Sequence, residues 1–227
     1  MTITAINLND VREEICCKLR NSDVLTVTIR GVTTVTENST GLLGQTTITP
    51  AHSTLKNVRS LTIDAVNKYF INDFTINFKT GVITLLSALS GGEAIVLNYD
   101  YGSDKIFPDL IRDNLTLESF PRIGIKTVSM NSEPLGLGGV TNISDILISI
   151  YVWMPVNKVS TIAGGLGGND DLELYMKTVR STMLNNSKGF YSFPFIHPVG
   201  STSIIPSTNN KIIQISQDFS ARFKVEK

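Results

Sequence analysis

DILISIYVWMP, residues Asp145 to Pro155, places Ile146, Ile148, Ile150 and Val152 on one side of an extended chain and Leu147, Ser149, Tyr151 and Trp153 on the other. Side chains alternate between faces in a strand, and both sets here are largely apolar. The spacing therefore predicts a central strand covered on both faces. On its N-terminal side FPRIGIKTVSM supplies another strand, Arg122 to Met130, followed by a loop at NSEPLGLGG. On its C-terminal side KIIQISQDFSARFKVEK sets Ile213, Ile215, Gln217, Phe219, Ala221, Phe223 and Val225 on one face of a long strand. The Asn209-Asn210 tip ahead of it marks a hairpin with SFPFIHPV.

Two amphipathic helices bracket this strand-rich region. In NDVREEICCKLRN, Asn9 or Asn7 can cap the start, Asp10, Glu13 and Glu14 sit in the first turns, and Lys18 and Arg20 close the helix. That is the charge order the helix dipole favours. Val11, Ile15 and Leu19 make its apolar stripe. A second helix begins at Asn169 or Asp170 and runs to about Leu184, with Leu172, Tyr175, Met176, Val179 and Met183 on one face.

Between the first helix and Tyr101 the pattern shifts to short runs rich in Val, Ile, Thr, Phe and Tyr. In FTINFKTGVITLLSALSGGEAIVLNYDYG, tight turns at Lys79-Thr80-Gly81 and Ser90-Gly91-Gly92 join three strand segments, which reads as a meander. Residues 31–105 form a β-rich insertion, and residues 1–30 with 106–227 an α+β core. The expected class is α+β: a mixed or antiparallel sheet flanked by two helices, with a β-rich insertion.

Composition narrows the function classes. Twenty Lys and Arg balance twenty Asp and Glu over 227 residues, so no excess positive charge draws the chain to nucleic acid or an anionic membrane. The richest apolar stretch, Ile143 to Val152, is broken by Ser144, Asp145 and Ser149, so no membrane span is expected. The opening MTITAINLNDVREE has no basic segment followed by an apolar one, which reads against a secretory signal and for folding in a cytoplasm. Cys16 and Cys17 are adjacent on a helix, where a bridge would be strained. Both are expected reduced, one buried and one at the fringe.

Chemical motifs are sparse. Gly136-Leu137-Gly138-Gly139 and Gly164-Gly165-Leu166-Gly167-Gly168 lack the spacing of a phosphate loop, and Asp170 and Asp171 after the second would repel an anion. His52 and His197 have no nucleophile elbow or metal-ligand spacing around them, so no catalytic, cofactor or metal residues are expected and an enzyme is disfavoured. Phe190, Tyr191, Phe193 and Phe195 could stack bases, but only Lys188 accompanies them, and a core or interface role is favoured. Leu135, Leu137, Leu166, Ile204 and Ile205 fall in apparent loops where water is a poor neighbour. These five are the candidate subunit-interface residues.

The order of NDVREEICCKLRN, FPRIGIKTV, SDILISIYVWMP, DDLELYMKTVRSTMLNN and KIIQISQDFSARFKVE resembles the tail terminator or tail-completion proteins at the head–tail neck of tailed bacteriophages. TGVITLLSALSGGEAIVLNYDYG is similar to the β-hairpin modules of phage virion proteins. The resemblance implies a homo-oligomeric ring, commonly a hexamer, that caps the tail tube and docks the head connector. DNA would pass through its lumen unread, and the protein would assemble in the host cytoplasm and reside in the virion. The alternatives are a head–tail adaptor, a baseplate component, or a carbohydrate- or receptor-binding β module suggested by the Thr-rich insertion and Trp153, although the apolar strand around Trp153 favours a core role for it.

Overall fold

The computed structural model describes residues 8–22, 25, 32–52, 54–70, 72–78, 80–102, 105–108, 121–134, 141–155, 169–186, 195–206 and 212–226. Helix α1 (Leu8–Arg20) precedes seven short strands: β1 (Thr33–Thr40), β2 (Thr47–Ile48), β3 (Leu55–Ile63), β4 (Val66–Lys68), β5 (Phe74–Asn77), β6 (Val82–Leu85) and β7 (Ala94–Tyr101). Next come β8 (Ile106–Phe107), β9 (Arg122–Pro134), β10 (Thr141–Pro155), helix α2 (Asn169–Asn185), β11 (Phe195–Pro206) and β12 (Ile212–Glu226).

The fold is mainly β, with 57% strand and 19% helix in three sheets and two helices among the described residues. This corrects the expected α+β class of a sheet flanked by two helices. The insertion contributes seven strands and no described helix. The later strands also run through residues that composition assigns to turns: Asn131 to Pro134 pair with Asn142 to Asp145, and Ser203 to Pro206 with Ile213 to Ser216. Ladder hydrogen bonds to a long neighbour outweigh the weak turn preference of Asn, Ser and Pro at a strand's end.

The chain divides into two compact units, Met1–Arg30 with Lys105–Lys227, and Gly31–Asp104. The first holds a five-stranded sheet in the order β11-β12-β10-β9-β8, antiparallel except where β8 meets β9. Both helices pack on one face of it. Val11, Ile15 and Leu19 of α1 and Leu172, Tyr175, Met176, Val179 and Met183 of α2 join Ile146, Ile148, Ile150, Val152 and Met154 of β10 in one core. Arg20, itself buried, donates from Nη2 to the Ile106 carbonyl at 2.9 Å, tying the end of α1 to β8.

The strand β10 lies centrally, but its two faces differ. The helix-facing residues are fully buried, whereas on the opposite face Ser149 and Trp153 are buried and Leu147 and Tyr151 only half-buried. Cross-strand polar pairs organise that face. Ser149 donates to Asp218 at 2.5 Å, the Trp153 indole N–H donates to Gln214 at 2.8 Å, and Arg222 grips Asp145 through two bonds of 2.8 and 3.0 Å. The guanidinium of Arg222 holds the Asp145 carboxyl below the usual carboxylate range.

The second unit is built from a four-stranded sheet, β1-β7-β3-β4, and a three-stranded sheet, β2-β6-β5, which share one apolar core. The expected meander is divided between them. β5 and β6 form a hairpin, but β7 crosses to the other sheet and pairs with both β1 and β3. Both segments carry an apolar face that must be buried, and stacking the sheets does this for Ile83 and Leu85 as well as for Ile95, Leu97 and Tyr99. On the outer face of β7, buried Asp100 accepts from Thr34 Oγ1 (2.6 Å), Asn57 Nδ2 (3.1 Å) and Arg59 Nε (2.8 Å), linking three strands through one carboxylate.

Candidate interaction surface

Within the second unit, Thr33, Leu55 and Tyr101 lie side by side at the end where the chain enters and leaves, and Thr40, Ile63 and Ala94 at the opposite end. Three tight connections gather at that remote end. Asp64 and Ala65 adopt positive φ (50° and 62°) in the two-residue hairpin from β3 to β4, the geometry that matches strand twist. Gly41 to Gln45 and Ser90 to Gly92 lock together. Gly41 N–H donates to Glu93 C=O (2.8 Å), Gly44 N–H to Leu89 C=O (2.9 Å), Leu89 N–H to Gln45 C=O (2.9 Å) and Gly92 N–H to Gly41 C=O (2.9 Å).

Glu93 braces the second of these turns by accepting from the Ser90 and Gly91 N–H groups, at 2.5 and 2.8 Å. Its own backbone N–H first, and then those of Ser90 and Gly91, hold its carboxyl below the ordinary glutamate range. Gly91 has a φ of 94°, and a Cβ there would come within 3.1 to 3.2 Å of the Leu43 backbone and Cβ, so the close approach of the two turns requires glycine.

This rigid scaffold presents large apolar side chains to water. Leu42 is 71% and Leu43 83% exposed, and Val66 and Leu86 are also exposed. Val66 also lines a cleft with Asp64, Ser87, Ala88 and Glu93. Ordered turns normally carry polar residues, so leucines held at such exposure make this end the candidate contact surface. Sequence reading missed it: two leucines between Gly41 and Gly44 mark a turn, but nothing local says whether they point inward or out.

The five interface candidates taken from the sequence are not brought together among the described residues. Leu135, Leu137 and Leu166 lie outside them, as do the two glycine-rich stretches and Phe190 to Phe193. Ile204 and Ile205, read as loop residues, are strand residues of β11, opposite Ile215 and Gln214.

The two histidines belong to different units. His52 stacks on Tyr101 with centroids 3.8 Å apart, and its backbone N–H donates to the Tyr99 hydroxyl at 3.3 Å. His197 lies in β11 and stacks on Phe195 at 5.5 Å. Trp153, for which a core role was favoured, is 7% exposed with its N–H engaged by Gln214. Cys16 and Cys17 are free thiols and both buried, whereas one was expected at the fringe. Burial is the chief cause of a Cys17 thiol pushed up to about 12. Among the described residues no three His, Cys, Asp or Glu side chains converge to hold a metal ion, and no helix is long and apolar enough to cross a membrane.

No protein-family model matches the chain, and no curated protein matches it. The contact chemistry of these residues, together with the order of elements, therefore carries the functional reading.

Proposed function

We propose that this protein is a structural subunit of a tailed-bacteriophage virion: a tail terminator or tail-completion protein. In this reading it closes into a hexameric ring at the head–tail neck, caps the tail tube and joins it to the head connector. The observation that carries the assembly half of this reading is the braced apolar end of the second unit, with Leu42 and Leu43 at 71% and 83% exposure. Its occupant is a different patch on the neighbouring copy. A contact between unlike patches propagates from copy to copy and closes when the rotation per step divides a full turn, which is the geometry of a ring.

The neck assignment draws on the resemblance of the terminal helices and strands to tail-completion proteins. The equal numbers of acidic and basic side chains suit a lumen that DNA crosses without being held, since a basic wall would bind phosphate and slow passage.

Native mass measurement on the purified protein tests the first half, and labelling tagged virions for electron microscopy tests the second. A closed species of several 24.8 kDa subunits, and label at the junction of head and tail, are the expected results. A lone subunit at high concentration, with or without tail tubes, refutes the ring. Label at the baseplate refutes the neck.

A further inference from the structure

The strand edges of this protein are unequal in a way that points to use. An exposed edge is a row of unpaired N–H and C=O groups, and proteins blunt such edges by shortness, proline, charged side chains or bulges. Among the described strands, β2, β4 and β8 have two or three residues and β5 has four. The edge at β4 is closed further by Tyr69, whose N–H donates to the Asp73 carboxylate and whose C=O accepts from the Asp73 N–H. β11 carries Pro198 and Pro206 and a break in register between Val199 and Ser203. β9 carries Lys126, Pro134 and an irregularity where it passes Leu147 and Ile148.

Of these devices β1 has a single charged side chain, Glu37, and no proline, lysine or break in register. It pairs with β7 in unbroken register over eight residues, TTVTENST, and six of them are exposed. Its backbone polarity can be assigned. Gly41, one step beyond Thr40 opposite Ala94, donates to Glu93, and Asp64 donates to Ala94, so the polar groups of Ala94 face β3. Alternation along an antiparallel ladder then turns Thr33, Val35, Glu37 and Ser39 toward β7. The N–H and C=O groups of Thr34, Thr36, Asn38 and Thr40 face the open edge.

We propose that this edge is a strand-accepting site for another polypeptide. The segment it takes is extended, matches Thr34 to Thr40 in length, carries no acidic side chain opposite Glu37, and adds antiparallel to β1 as a fifth strand. The charge argument selects this occupant over a second copy of β1. In the two-fold register that uses all four outward residues of both strands, Thr34 meets Thr40, Thr36 meets Asn38, and the two Glu37 carboxylates stand directly opposite. Like charges at that position are destabilising. The Tyr99 hydroxyl of β7 and the Ala51 N–H hold the Glu37 carboxylate on the face it shares with Val35, so the charge is fixed beneath β1 and does not swing out into water to relieve the repulsion. The site is independent of the ring reading, which rests on the Leu42 and Leu43 end.

The test uses the full-length protein and two synthetic nonapeptides, acetyl-VTVTKTVTV-amide and the same peptide with Glu replacing Lys. Threonines match the Thr face of β1, and the central residue falls opposite Glu37. Binding is read by fluorescence anisotropy and by amide hydrogen exchange. The expected result is binding of the Lys peptide, roughly tenfold weaker binding of the Glu peptide, and new protection confined to Thr34, Thr36, Asn38 and Thr40. Thr36→Pro and Asn38→Pro remove outward N–H groups while sparing the ladder to β7, and each should weaken binding about tenfold or more with an unchanged circular dichroism spectrum.

The exchange pattern on the unaltered protein needs no variant, so it decides the matter even if a proline variant misfolds. No binding of the Lys peptide, binding indifferent to both prolines, or protection of these amides in the dilute protein alone would overturn the proposal. So would a dimer that Thr36→Pro dissolves, which would give the edge to a second copy.

Discussion

Replacing Leu42 and Leu43 together by serine isolates the proposed assembly surface from the fold. Both side chains stand in water in the single chain, at 71% and 83% exposure. The turn that carries them is held by backbone bonds such as Gly44 N–H to Leu89 C=O, which the substitution does not touch. Unfolding free energy should therefore change by no more than about 0.5 kcal/mol. At an interface, fully covering a leucine is worth about 1.5–3 kcal/mol. Scaling by the exposed fractions and subtracting about 0.5–1 kcal/mol per ordered side chain leaves roughly 1–3 kcal/mol for the pair at each contact. Subunit dissociation constants should rise about 5- to 150-fold. Sedimentation velocity over a concentration series reads this shift, with thermal unfolding run in parallel. An unchanged oligomer distribution in the variant, with unchanged stability, refutes the assignment of this end as the contact.

Three further outcomes follow from other parts of the molecule. Gly91→Ala should loosen assembly without removing any contact atom, because a Cβ at φ 94° presses on the Leu43 backbone and displaces the turn; the same sedimentation series checks it. The Tyr99 hydroxyl, raised to about 12 by burial and by its bond to Glu37, ionises later in the folded chain than in the unfolded one. The folded state thus binds the proton more tightly, and stability present below about pH 10 should fall as pH climbs through 12, with Tyr99→Phe flattening that slope in urea titrations. Ile150→Ala, at a fully buried position of β10 between the helices and the sheet, should cost about 2–5 kcal/mol in the same titrations, whereas truncating half-buried Leu147 on the other face should cost less.

Local periodicity made much of the framework legible. The stripes Val11-Ile15-Leu19 and Leu172-Tyr175-Met176-Val179-Met183 are buried as their helical spacing requires, and Ile213, Ile215, Gln217, Phe219 and Ala221 alternate inward along β12. Such patterns survive because a helix or strand in water must hide one face whatever it packs against. The class and the interface were less legible. Turn-like composition at NSEP and STSIIP did not stop the strands, because pairing partners on β10 and β12 were long enough to extend them.

What the sequence determined by itself was which residues turn inward, since a 3.6- or 2-residue period belongs to the chain and needs no partner to be read. Tertiary structure alone decided that β7 leaves the β5–β6 hairpin for another sheet, that Leu42 and Leu43 stand outward on a braced turn, and that β1 keeps an open edge. Each depends on which distant strand supplies the other half of a ladder or a core. Hydrogen bonding and burial set those choices between residues far apart along the chain, where no local period carries the information.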